Sequence, residues 1–263
     1  MSDLKIFLNK IAFAGPETET WDALTGLFAS GAGWRASADW DITPETLSAR
    51  AARRVSPQIR LAVTIAERLA PCLNDDAGWI FASSVGEGET LQVILEALRT
   101  PEMMIQPLRF QNAVHNAASG QWSIAAGITG PITSIAALDE TAGAGFLKAG
   151  LQVAAEKRPI GLVLYDVPLP PPLDDKRPLG IPLGAGFALA PHPGADTLAS
   201  LTLSVCDEGT TEPKHTVAQA IRATGNPVAA VMHLLETLAA QTPSHVVLGL
   251  HGGRGLRMDV EPI

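Results

Sequence analysis

The 263-residue sequence holds two cysteines, one tyrosine, and aromatic side chains at only 5% of its positions. Cys72 and Cys206 stand far apart, with no C-x-x-C pair and no cysteine–histidine spacing. That pattern excludes a disulfide framework and a structural zinc site. Charge is also scarce, at 17% of residues against ~25% in typical soluble domains. Basic residues are the rarer sign, 19 Lys and Arg against 27 Asp and Glu, for a net charge of −8. A phosphate backbone needs a basic stripe, so no nucleic-acid partner is expected. The densest basic cluster is Arg50, Arg53 and Arg54, expected to form local salt bridges or to contact a carboxylate or phosphate. No uncharged apolar run reaches the ~18–20 residues needed to cross a bilayer. Ile6-Phe7-Leu8 gives way at once to Asn9-Lys10, unlike a signal peptide, so a cytoplasmic protein without a membrane span is expected.

What the sequence does have is apolar and small. Hydrophobic residues make up 46%, with 24 Gly and 20 Pro, which excludes disorder and suffices for a substantial core. Such a composition points to close helix–sheet packing and to a surface covered by a partner. No repeat and no linker divides the chain, so one domain over residues 1–263 is expected.

Periodicity supplies the elements. Strands are expected at 4–13, 79–83, 133–138, 161–167, 184–190, 198–205, 246–250 and 256–260, the last two joined by a turn at Gly252-Gly253. Helices are expected at 21–29, 90–98, 141–155, 217–224 and 227–240. Another, from the Ser56-Pro57 start to about Leu73, carries Ile59, Ala62, Val63, Ala66 and Leu69 on one face. Residues 112–126 read as a buried helix of small side chains, and 31–43 and the proline run 169–172 as loops. Alternating strands and helices followed by an antiparallel pair define an α/β fold, a mixed sheet sandwiched between helices.

No self-contained catalytic motif stands out. Gly143-Ala144-Gly145 follows a strand, but position 148 is Lys148, so the dinucleotide fingerprint fails and close packing is expected instead. His251-Gly252-Gly253 looks like an esterase oxyanion loop without the G-x-S-x-G elbow that should follow, and a hairpin turn is expected. Ser83, His115 and Asp139 are triad residue types, scattered as in almost any chain of this length. Glu87 and Glu89 are expected to cap the helix that begins near Thr90. No metal site and no cofactor is expected.

The stretch Asn116-Ala-Ala-Ser-Gly120-Gln-Trp-Ser123-Ile-Ala-Ala-Gly127-Ile-Thr-Gly130-Pro131 resembles the segment that leads to the nucleophile strand of beta-ketoacyl synthases. Phe81-Ala-Ser-Ser-Val-Gly86 is similar to their earlier strand and gating turn. Lys176-Arg177 through Leu183-Gly184-Ala-Gly186 is similar to a later Arg…Gly-x-Gly-Ala segment. The resemblance runs in order over roughly residues 4–203. Two departures matter. The family's nucleophilic cysteine stands eight positions beyond the proline, where this sequence has Asp139. A carboxylate does not replace a thiolate in carrying an acyl chain, so no catalytic residue is expected and Asp139 should cap the next helix. The family also has two similar halves with two histidines in the second. This sequence matches about one half, and His251 is not expected to supply that pair.

A half-length ketosynthase without nucleophile or histidines resembles the chain length factor-like proteins of aryl polyene clusters. Phe110-Gln-Asn-Ala-Val-His115-Asn116 and Tyr165-Asp166-x-Pro168-Leu-Pro170 fit that subgroup. The resemblance implies a thiolase-like half fold and a heterodimer with an active beta-ketoacyl synthase, whose acyl tunnel this chain would shape in polyene or fatty-acid-like biosynthesis. Acyl carrier protein would be met through that complex. The implied tunnel wall is Val85, Glu87, Thr90, Leu91, Ile94, Val114 and His115. The implied dimer strand is Ile132, Thr133, Ser134, Ile135, Ala136, Ala137 and Leu138, which carries no charge, as a buried edge requires. Two other readings remain open. One is a stand-alone serine hydrolase or acyltransferase using Ser83, Ser119 or His115. The other is a non-catalytic homodimeric scaffold that binds acyl carrier protein through Arg50, Arg53 and Arg54.

Overall fold

The computed structural model describes residues 4–37, 40–100, 103–105 and 107–263. Its first half runs β1 (Leu4–Ala14), α1 (Trp21–Ser30), the single turn α2 (Ala49–Ala52), α3 (Pro57–Leu69), β2 (Gly78–Ala82), α4 (Gly88–Arg99), α5 (Pro107–Gln111) and α6 (Ala117–Ala126). Then follow β3 (Ile132–Ile135), α7 (Thr141–Glu156), β4 (Ile160–Asp166), β5 (Leu183–Ala190), β6 (Ala199–Cys206), α8 (Thr216–Arg222), α9 (Met232–Ala240), β7 (Ser244–Leu250) and β8 (Arg254–Pro262). The expected loop 31–43 includes residues 38–39, which lie outside the described residues.

The strands form one sheet in the order β3-β2-β4-β5-β1-β6-β8-β7. β3 and β4 flank β2 in parallel, and the remaining pairs are antiparallel. Strand alternation sorts side chains onto two cores. Trp79, Phe81, Val163 and Tyr165 face the layer of α3 and α6, whereas Ile80, Ala82, Leu162 and Leu164 face α7 and α9. On α3, Ile59, Leu61, Ile65 and Leu69 are fully buried, each large side chain contributing ~1.5–3 kcal/mol. Ser56 caps this helix by accepting the Ile59 amide at 3.2 Å, with proline in the first turn as expected.

The glycines of α7 serve the predicted close approach. A Cβ at Gly143 would overlap the carbonyl oxygen of Gly249 in β7, so only glycine lets this helix lie so near the strand. β7 and β8 form the expected hairpin, turning at Gly252 and Gly253, both at positive φ.

Three expected boundaries differ. α3 stops at Leu69 and passes into a 3-10 turn at Ala70–Cys72, because Pro71 has no amide to continue the ladder. The expected helix over 112–126 begins only at Ala117, as α6; the residues before it, between Asn112 and Asn116, form a turn that links it to α5, and asparagine favours caps over helix interiors. Nor is α6 wholly buried: Trp122 is sealed against Trp79, while Ile124 is 78% exposed. β3 covers Ile132–Ile135 only, because the chain turns at Ala137, whose amide donates to the Thr141 hydroxyl at 3.0 Å.

Candidate functional site

Because β2, β3 and β4 run parallel, their carboxyl ends open on one side of the sheet. Three turns meet there: Ser83–Glu87 after β2, Ala136–Glu140 after β3, and the segment after Asp166 at the end of β4. β2 and β4 are short apolar runs that stop at Ser83 and Asp166, and this brings those two polar residues together.

Asp166 is the hub. It is fully buried, accepts the Ser83 hydroxyl at 2.8 Å, and accepts the Ser84 amide at 3.0 Å. Ser83 in turn accepts the Gln58 amide group at 2.7 Å and the Gly86 amide at 3.0 Å. Asn226 donates to the backbone carbonyls of Asp166 (3.1 Å) and Ile181 (2.7 Å). Burial pushes the Asp166 carboxyl up to about 6 despite these donors. Burial likewise pushes the neighbouring Tyr165 phenol up.

Glu87 takes the helix N-cap position of α4 but makes no side-chain cap there. Its buried carboxyl instead accepts the Ser56 hydroxyl at 2.8 Å and the Thr90 hydroxyl at 3.4 Å. Burial pushes it up to about 7. Glu89 does lie in the first turn of α4, exposed, where a carboxylate favours the positive end of the helix dipole.

His115 closes the gap between two of the turns. Its Nε2 lies 2.9 Å from the Ile135 carbonyl oxygen at the end of β3. A Cβ at Gly86 would stand 2.9 Å from its Nδ1, and Gly86 has φ +71°, so both space and backbone require glycine. Ser119 and Ser134 share a hydrogen bond of 2.9 Å beneath it.

Asp139 does not cap α7. Its exposed carboxylate accepts from Arg177 at 2.8 Å, and the turn is held instead by Thr141, whose hydroxyl donates to the Leu138 carbonyl at 2.7 Å. Leu138 has φ +50°, a left-handed backbone at the step into the helix. Ser83, His115 and Asp139 are therefore not joined: the first bonds to Asp166, the second meets the Ile135 carbonyl, and the third pairs with Arg177. The Ser119 hydroxyl donates to the Asn116 carbonyl at 3.0 Å, besides its bond to Ser134, with no base partner among the described residues.

The remaining singled-out residues lie on the β3 side. Thr90 is buried, Val85, Ile94 and His115 are half-buried, and Leu91 and Val114 are exposed. Among the described residues, β3 has a hydrogen-bonded neighbour on one edge only. Ile132, Thr133, Ser134, Ile135 and Ala137 are half-buried, while Ala136 and Leu138 are exposed. Leu91, Leu95, Leu98, Phe110, Val114 and Ile124 on α4 to α6 are large apolar side chains left exposed. Arg50, Arg53 and Arg54 are exposed and, among the described residues, form no ion pair, so the expected local salt bridges are not made.

Asp166, Gln58 and Arg177 were not assigned a role from the residues alone. An acid closing the otherwise apolar strand Ile160–Asp166 was the available signal.

The family model for the beta-ketoacyl synthase N-terminal domain matches residues 31–246. The chain belongs to that family. A search of curated proteins finds no match. Among solved structures, a chain of the ketosynthase (ApeO) in complex with its chain length factor (ApeC) from Xenorhabdus doucetiae superposes with TM-score 0.75. It is 18% identical, over 97% of this chain and 99% of that one. The ishigamide ketosynthase/chain length factor gives TM-score 0.74 at 13% identity, covering 98% and 99%. A type II polyketide ketosynthase complex with its acyl-carrier protein, AntDE:AntF, gives 0.71 at 11% identity, covering 100% of both chains. These likenesses establish the α/β ketosynthase fold of the thiolase-like type for this beta-ketoacyl synthase-like chain. Among its described residues, no helix is long and apolar enough to cross a membrane.

Proposed function

We propose that this ketosynthase-like chain acts as a catalytically inactive chain length factor, one domain over residues 1–263 that pairs with an active beta-ketoacyl synthase. The observation that carries the reading is the open edge of β3. The uncharged edge strand β3, followed by exposed Ala136 and Leu138, lies in a chain that also exposes large apolar side chains on α4 to α6. Free edges of this kind are normally charged, bulged or covered, and a second ketosynthase-fold subunit covers it. Asp139 at the nucleophile position supports the non-catalytic half of the reading, because its carboxylate is engaged with Arg177 and has no thiol chemistry to offer.

In the assembled pair, Val85, Thr90, Leu91, Ile94, Val114 and His115 face the partner's acyl tunnel and limit the chain growing there. Glu87 is withdrawn from that wall toward Ser56. Acyl carrier protein reaches the pair through Arg50, Arg53 and Arg54, whose charges are uncompensated among the described residues. The product class is a polyene or fatty-acid-like chain, made in the cytoplasm.

Co-expression with the ketosynthase, followed by size-exclusion chromatography with mass determination, tests the pairing. A one-to-one complex that acquires acyl groups only on the partner is the expected result. A monomer that ignores the ketosynthase refutes it. Ile94→Ala should lengthen the products of the reconstituted pair, and unchanged lengths would remove Ile94 from the wall.

A further inference from the structure

At the sheet edge opposite β3, the last turns of α1, the segment Lys214-His215 before α8, helix α9 and the start of β7 enclose a cleft of about 740 Å³. Phe28, Ala239, Ala240 and Pro243 give it apolar walls, and the Phe28 ring lies 4.9 Å from the His215 ring. Two polar side chains on the wall, His233 and Glu236, stand about one turn apart on α9. His233 is 7% exposed, and its Nδ1 lies 2.8 Å from the Thr211 hydroxyl oxygen, which also accepts the Val247 amide at 2.9 Å. The other ring nitrogen, Nε2, has no hydrogen-bond partner among the described residues and is not sealed from solvent. Glu236 Oε1 stands 3.7 Å from it, too far for a direct hydrogen bond and within reach of one bridging oxygen. The two Glu236 oxygens accept the backbone amides of Lys214 at 2.7 Å and His215 at 2.8 Å. Those bonds fix the carboxylate and leave each oxygen further acceptor capacity.

The carboxylate beside Nε2 selects the tautomer with the proton on that nitrogen, so the Thr211 hydroxyl donates to Nδ1. Burial lowers the His233 pKa, and the ring is neutral at neutral pH. The wall thus presents one free N–H donor beside one carboxylate acceptor. An anion that reached Nε2 would meet Glu236, and an ammonium ion on Glu236 would leave the N–H without an acceptor. An ether would leave the carboxylate unmatched, and a hydrocarbon would leave both groups so. A hydroxyl accepts and donates through one oxygen and answers both. We propose that this cleft binds a neutral alcohol, whose hydroxyl accepts from His233 Nε2–H and donates to Glu236 while its hydrocarbon part lies against Phe28, Ala239, Ala240 and Pro243. Aromatic and aliphatic alcohols both present this chemistry. The inference does not depend on the pairing with a ketosynthase.

Isothermal titration calorimetry of the purified chain tests it with benzyl alcohol and hexanol, against benzyl methyl ether, which cannot donate, and benzoate. The expected result is saturable one-to-one binding of an alcohol, with both controls at least about tenfold weaker and the His233 Nε2 resonance shifting in NMR spectra as the site fills. Tighter binding of benzyl alcohol assigns the cleft to aromatic alcohols, and tighter binding of hexanol assigns it to aliphatic ones. His233→Asn keeps an acceptor for the Thr211 hydroxyl but lacks the Nε2 donor, and should weaken the alcohol about tenfold. Ala239→Phe fills the cleft from a half-buried position and should weaken it at least about tenfold, with circular dichroism unchanged in both variants. No saturable binding by either alcohol, which would leave the cleft to water alone, equal binding by the ether, or full affinity in the folded His233→Asn or Ala239→Phe protein would overturn the proposal.

Discussion

Glutamine at position 87 should stabilise this protein, and should do so only above acidic pH. Glu87 is 8% exposed and lies against Ser56 of α3, with Thr90 and the like charge of Glu89 on its own helix. No cation forms an ion pair with Glu87 among the described residues. Burial raises the carboxyl from 4.5 to about 7. The folded state therefore holds its proton more tightly than the unfolded chain does. The stability tied to that proton is complete below 4.5 and is lost as pH rises through about 7. The gap between the two values corresponds to about 3 kcal/mol. Glu87→Gln keeps the shape and the Ser56 contact but has no proton to lose. Urea unfolding should find the variant more stable by about 2–3 kcal/mol at about pH 8, and by less than about 1 kcal/mol at about pH 5. Asp166, also raised, is present in both proteins and cancels from the difference. A stability difference equal at the two pH values, or a variant less stable at about pH 8, would refute the reasoning.

Glycine substitutions in two helices should have opposite signs. Gly143→Ala forces a Cβ onto the Gly249 carbonyl and should cost about 2 kcal/mol or more, whereas Gly120→Ala enters open space and should stabilise by ~0.5–1 kcal/mol, both read by thermal or urea unfolding. Ala136→Asp places a charge beside the open β3 edge and should abolish co-purification with the ketosynthase while the isolated chain keeps its circular dichroism. Ser83→Ala removes a donor to Asp166 and an acceptor for Gln58 and the Gly86 amide, so it should destabilise by ~1–3 kcal/mol. Ester hydrolysis by the isolated chain should be at background level before and after that change. Hydrolysis lost with Ser83 would instead favour the hydrolase reading.

Much of the scaffold was legible because its signals are local. The continuous apolar runs of Gly78–Ala82 and Ile160–Tyr165, the Ser56-Pro57 start of α3 and the Gly252-Gly253 turn each depend on a few contiguous residues. The small-residue stretch 112–126 misled for the same reason. Small side chains imply close packing only where something lies opposite, and nothing approaches Gly120. Counting from Pro131 in the ketosynthase resemblance singles out Asp139 as the residue at the expected nucleophile position. Its partner is not legible in that way, because Arg177 lies 38 residues away on the loop before β5.

The amino-acid order by itself determined the α/β class, most element positions and the absence of charge over 132–138. Those properties follow from residue type and spacing along the chain. Tertiary structure alone decided that β3 stands at an open edge, and that Asp166 receives Ser83 from 83 residues away. It also decided that Glu87 turns from capping its own helix toward Ser56. Burial and side-chain partnership depend on which strands become neighbours, and residues distant in sequence meet only after the sheet has assembled.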